Sequence, residues 1–190
     1  MEYDYTTLRS RRRTVSVEIK EDATILVRAP KWMSVYEIER FVNANTDWIK
    51  KHVEKVRLRN EKAQNIQPID NEELKRLGKA AVVIIPGKVR HYANILGVSY
   101  GRITIRNQKT LWGSCSAKGN LSFNCLLMKA PDEVIDYVIV HELCHRIYMN
   151  HSRKFWEKVA SVIPGYKKYR KWLKDEGAVI MTANRMRTKN

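Results

Sequence analysis

Cysteine is scarce in this chain of 190 residues: Cys115, Cys125 and Cys144 are the whole complement, odd in number and without a C-x-x-C pair. That excludes a disulfide framework and favours free thiols in a reducing cytoplasm. Long hydrophobic runs are missing as well. The longest, AAVVIIP at 80–86 and VIV at 138–140, fall far short of the roughly 18 residues that span a bilayer. The opening MEYDYTTLRS carries two acids and no apolar stretch, so neither a secretory signal nor a membrane anchor is expected. Internal repeats and low-complexity runs are absent. Acid is in short supply: 36 Lys and Arg face 20 Asp and Glu, a net charge of +16. The excess is spread along the chain, which favours anionic partners but says nothing about fold.

What is present suffices for a core, with 44% hydrophobic residues, and the length suits one domain or one with a small appendage. Residues 13–30, RTVSVEIKEDATILVRAP, alternate apolar and polar around Glu21-Asp22, as a β-hairpin does. Ser34 reads as an N-cap, followed by Val35, Ile38, Phe41 and Val42 at helical spacing. A second helix is expected after Asn45-Thr46, with Trp48, Ile49, His52, Val53 and Val56 on one stripe. The polar stretch 58–69 reads as a linker. Asp70 caps a helix expected to reach Ile85 and to break at Pro86-Gly87, before a shorter helical stretch to Ile95.

Strands are expected over Ser99–Asn107 and Leu121–Leu127. Pro131 with Asp132 and Glu133 starts a helix to about Ile147, and Ser152 and Pro164 begin two more. The class is α+β. Its expected parts are an N-terminal β-hairpin plus helices over 1–66, a catalytic domain with a small sheet over 67–177, and a C-terminal tail over 178–190.

Three of the five histidines fall within eleven residues, in VIVHELCHRIYMNH. His141 and His145 form H-E-x-x-H inside the helical pattern. A spacing of four turns a helix by about 400° and sets the two imidazoles roughly 6 Å apart along the axis, side by side. Both can then donate to one tetrahedral Zn²⁺. Glu142 falls on the flank, within reach of a water on the metal rather than of the metal itself. His151 lies about 15 Å further along a continuous helix, so for it to join the site the helix must stop near Ile147–Tyr148. Asn150 is the expected left-handed residue of that reversal. Glu157 competes with His151 as third ligand. In this scheme zinc polarises the scissile group, and Glu142 takes the water's proton and passes it to the leaving group.

The segments IRNQKTLWGSCSAKGNLSFNCLLMKAP at 105–131 and YVIVHELCHRIYMNHSRKFW at 137–156, with RAP at 28–30 and DWIKK at 47–51, resemble the YgjP-like metallopeptidases. These are related to the SprT-like and minimal gluzincin enzymes. The resemblance implies a zincin-type catalytic domain, with His141, His145 and His151 as metal ligands and Glu142 as catalyst. Leu111 stands where the family pattern has a basic residue. The ten-residue spacing is also that of metzincins, but Tyr148 replaces their turn glycine.

The surrounding residues give further expectations. GNLSFN at 119–124 is a candidate edge strand for β-augmentation by a peptide. Trp112 is expected to pack beneath the hairpin rather than line the cleft, and Cys144 to lie in the core. Tyr148 and Tyr166 are candidate oxyanion donors. YKKYRKWLK at 166–174 reads as an inward aromatic stripe with solvated lysines. The substrate expected is a peptide or protein.

The alternatives are a nucleoside triphosphate pyrophosphatase, which the positive charge would suit, and a nucleic-acid-associated protease. Against the first, there is no acidic cluster for Mg²⁺ and no G-x-x-x-x-G-K phosphate loop. A binding module with structural zinc would need a fourth protein ligand, and none is evident. Any nucleic-acid binding should be weak and salt-sensitive.

Overall fold

A computed structural model describes residues 4–67 and 69–187. The chain divides into two compact units, one ending at Asn65 and the other beginning at Ile66. The first holds three strands, β1 (Tyr5–Ser10), β2 (Ser16–Ile19) and β3 (Ile25–Pro30), then two helices, α1 (Val35–Ala44) and α2 (Thr46–Gln64). The hairpin is β2 and β3, antiparallel with Val17 opposite Val27. The unexpected strand is β1, which pairs in parallel with β3. From Thr6 to Ser10 it is exposed throughout, so it has no buried face to print an alternation on the sequence. Ile25, Val27 and Ala29 pack against Ile38, Val42, Ile49 and Val53 of the two helices. Helix α1 opens on a capping box: Ser34 Oγ accepts from Glu37 N–H at 3.2 Å, and Glu37 Oε2 accepts from Ser34 N–H at 2.8 Å.

The expected linker is mostly helix. Residues 57–64 are nearly all good helix formers, and α2 runs to Gln64 with Ala63 buried. Pro68, part of that expected stretch, lies outside the described residues.

The second unit starts with α3 (Asn71–Leu96), capped by Asp70 Oδ1 on Glu73 N–H at 2.7 Å and closed by left-handed Gly97. The expected break at Pro86 does not occur. Proline removes one hydrogen bond, whereas Leu77, Ala81, Ile85, Val89, Ala93 and Leu96 form one buried stripe on both sides of it. Burying that stripe outweighs the lost bond, and the helix continues.

A second sheet follows, in the order β4–β6–β5, from β4 (Ile103–Arg106), β5 (Gly113–Cys115) and β6 (Leu121–Asn124). The expected edge strand, GNLSFN, is therefore the middle one: β6 lies parallel to β4 and antiparallel to β5. Leu121 and Phe123, both in the core, hold it there, and β5 takes the edge. Buried Asn124 donates through Nδ2 to the carbonyls of Gln108 and Leu111 at 2.8 and 2.9 Å. Its own N–H donates to Trp112 O at 2.9 Å, which fixes the chain entering β5.

After a 3₁₀ turn (Cys125–Lys129) come α4 (Asp132–Cys144), α5 (Arg153–Val162) and α6 (Tyr166–Arg187). Residues 178–187, expected as a tail, are instead the last turns of α6. Val179, Ile180, Met181 and Ala183 are buried there, and an apolar face of that kind extends the helix. No helix among the described residues is long and apolar enough to cross a membrane.

Candidate metal centre

Helix α4 is apolar nearly all round, and Val138, Ile139, Val140, Leu143 and Cys144 seat it in the core. Cys144 is fully buried as expected, and burial pushes its thiol up to about 12. His141 and His145 lie on one side of the helix, their rings 5.1 Å apart. The helix ends at Cys144, a little earlier than the spacing predicted. Arg146 and Ile147 N–H close onto Leu143 and Cys144 O at 2.9 and 3.0 Å. The reversal needs no left-handed residue: Ala23 is the one non-glycine residue described with positive φ. Asn150 acts through its side chain, whose Oδ1 accepts from Ser152 N–H at 3.3 Å.

The turn returns His151 to the helix. Its Nε2 stands 3.0 Å from His141 Nε2, and the ligand atoms of His141, His145 and His151 all lie within 4.8 Å of one another. Glu157 is elsewhere, paired with Arg153 Nε at 2.7 Å. Phe155 forms the floor, its ring centroid 4.9, 4.7 and 4.8 Å from those of His141, His145 and His151. Trp156 flanks His141 and His151 at 5.7 and 5.5 Å.

The donor set fits a metal. Tetrahedral bonds of about 2.0–2.1 Å to zinc would hold two nitrogens about 3.3–3.4 Å apart, close to the 3.0 Å between His141 and His151 Nε2. Metal ligation needs neutral imidazole. Burial first, then the neighbouring His145, His151 and Arg170, holds His141 down to about 3. Burial also lowers His145. His145 Nδ1 meets Tyr148 O at 3.1 Å, a bond that turns Nε2 toward the cluster. His141 Nδ1 is buried without a partner, so that ring is oriented by packing.

Glu142 is 6% exposed, and burial pushes its carboxyl up to about 8. Gly113 of β5 makes room for it. A Cβ at position 113 would sit 2.8 Å from Glu142 Cγ and 2.9 Å from Oε1. Gly113→Ala should therefore displace the carboxylate and lower turnover at least about tenfold, the scale on which small misplacements act. Metal content should stay, which elemental analysis and steady-state kinetics on one preparation would check.

Trp112 lines a cavity with Glu142 and His141. Asn124's grip on the Trp112 backbone places it. Tyr148 offers its carbonyl to His145, and the Tyr166 ring stacks on Trp156 at 5.3 Å. Tyr166, Tyr169, Trp172 and Leu173 pack on the core while Lys167, Lys168, Lys171 and Lys174 are exposed, as the stripe predicted. Sequence reasoning assigned no role in the site to Tyr137 or Phe155, and gave Gly113 only as part of a stretch that could line the cleft. Tyr137 stands edge-on to His141 at 5.9 Å, and burial pushes its hydroxyl up to about 12. Phe155 showed in the sequence as part of the segment at 137–156 and four residues after His151.

The chain was compared with known proteins. The zymogen of the metallopeptidase abylysin from Pyrococcus abyssi is similar at 27% identity and a TM-score of 0.44, over 48% of this chain and 94% of that one. The zymogen of jannalysin from Methanocaldococcus jannaschii is similar at 21% identity and 0.44, over 48% and 95%. No curated protein matches. The model of the YgjP-like metallopeptidase domain matches residues 13–85 and 77–176. That span takes in β2 through α5, the three histidines and Glu142, and the chain accordingly belongs to the YgjP-like metallopeptidase family.

Proposed function

We propose that this metallopeptidase is a zinc enzyme in which His141, His145 and His151 hold the metal and Glu142 is the general base. The convergence of three imidazoles, with a buried carboxylate beside them, carries the reading. Bound zinc would supply Lewis-acid polarisation of the scissile carbonyl and bring water ionisation toward neutral pH. Glu142 removes the proton from the attacking water and delivers it to the leaving amine nitrogen. Its low-dielectric site makes it a stronger base than a solvated carboxylate. Gly113 holds β5 close enough to fix where that carboxylate points. Tyr137, Phe155 and Trp156 pack against the imidazoles and keep them oriented.

The peptide reading is also supported by β5, an edge strand next to Glu142. An extended chain adding to it would carry its carbonyls past the carboxylate. The unpaired Cys115, Cys125 and Cys144 suit a reducing cytoplasm. Spread positive charge would make contacts with nucleic acid salt-labile. The test is to profile the zinc-loaded protein against a peptide library and nucleoside triphosphates in parallel. Peptide cleavage is expected; hydrolysis confined to the triphosphates would replace this reading with a phosphohydrolase.

A further inference from the structure

The cavity beside Glu142 has a volume of about 140 Å³. It is lined by the apolar side chains of Trp112, Tyr137, Val138 and Leu173 together with the polar His141 and Glu142. An apolar cavity of about 150 Å³ accommodates a benzene ring, so this one matches a phenyl group or a leucine side chain.

One wall is held by an unusual device. Gly177 is a buried residue of α6 whose φ is not positive, so its backbone has no need of glycine. In a helix interior glycine costs about 1 kcal/mol relative to alanine. Space explains it: a Cβ there would lie 3.0 Å from Trp112 Cζ2 and 3.4 Å from Cε2. The indole rests on the helix backbone itself, with Leu173 beside it. On the other side, the Trp112 carbonyl is bound by Asn124 N–H at 2.9 Å. Trp112 is therefore clamped between the β5–β6 pair and α6.

We propose that this cavity is the subsite that selects the substrate, taking one medium-sized apolar side chain next to the scissile bond, and that Trp112, seated on Gly177, sets its depth. The proposal rests on the peptidase reading above. The carboxylate in its lining serves the bond being cut, and the apolar residues hold the neighbouring side chain by burial alone. Specificity of this origin is graded: one methylene too many or too few is worth roughly 10–200-fold.

The two sides of the clamp make opposite predictions, testable on a peptide library varied at the positions flanking the cleaved bond. Zinc-loaded wild type should prefer Leu and Phe to Ala at one of them. Trp112→Ala deepens the cavity and should raise the Trp-to-Leu ratio of kcat/KM at least about tenfold. Trp112→Phe, which is gentler on folding, should move the ratio the same way by less. Gly177→Ala pushes the indole inward by a few tenths of an ångström and should shift preference several-fold toward Val and Ala.

A second readout does not involve metal. Titrating toluene into the metal-free protein should shift NMR signals at Gly113, Val138 and Leu173, and more weakly in Gly177→Ala. Unchanged preferences in all three variants, with peptides still cleaved, would overturn the subsite and leave the peptidase standing. Failure of wild type to cleave any peptide would overturn both. A nucleoside, instead of toluene, producing these shifts would also overturn the proposal.

Discussion

Replacing Glu142 by glutamine should lower peptide hydrolysis by about 10²–10⁴-fold, the usual worth of a positioned general base, without loss of zinc. The shape of the side chain is kept, so its packing against Gly113 and the walls of the cavity survives. What disappears is the ability to take a proton. The carboxylate is not among the groups that converge on the metal position, which is why zinc content should hold. A second consequence has the opposite sign. Burial raises the Glu142 carboxyl to about 8, so the folded protein resists its ionisation. A group with a raised acid pKa weakens the fold increasingly as pH climbs from its unfolded value toward its folded one. The metal-free variant should consequently melt higher than metal-free wild type near pH 7–8, and equally near pH 4. Loss of zinc together with activity would instead make Glu142 a ligand or a ligand's support.

Phe155→Ala should be the most damaging change to stability. The ring is fully buried and lies under all three imidazoles. Removing a buried phenyl group costs about 3–5 kcal/mol, a large share of the roughly 5–15 kcal/mol by which an ordinary domain is stable. The cavity left behind would let the histidines sag, so zinc affinity should fall as well. Phe155→Leu, which refills most of the volume, should cost less and restore much of the affinity. Chemical denaturation and zinc titration of both variants would check this. A loss below 1 kcal/mol for Phe155→Ala would mean that the floor carries little of the site.

How much of this was legible beforehand depended on the range of the interaction. The hairpin, the Ser34 cap and the H-E-x-x-H pair are written in neighbours two to four residues apart, and they read correctly. Pro86 misled because its penalty is local, whereas the stripe from Leu77 to Leu96 that overrides it is buried by distant elements. Strand β5 is three residues long, too short for a period to show. Its pairing with β6 moved GNLSFN from the edge to the centre. The apolar end of the chain read as a tail because nothing nearby in sequence tells that Ile180 and Met181 face a core. Likewise Gly113 and Gly177 are unremarkable in sequence. Each becomes meaningful only once a side chain from another element, Glu142 or Trp112, lies against it.

The central claim is that three histidines hold one catalytic zinc. It is tested most directly by stripping the protein with a chelator, adding zinc back in steps, and following bound metal and peptide hydrolysis together. Activity should return in proportion to occupancy and level off at one zinc per chain, while His151→Ala, treated identically, should bind far less zinc and recover little activity. Full occupancy and turnover in that variant, or activity in the stripped protein, would contradict the account.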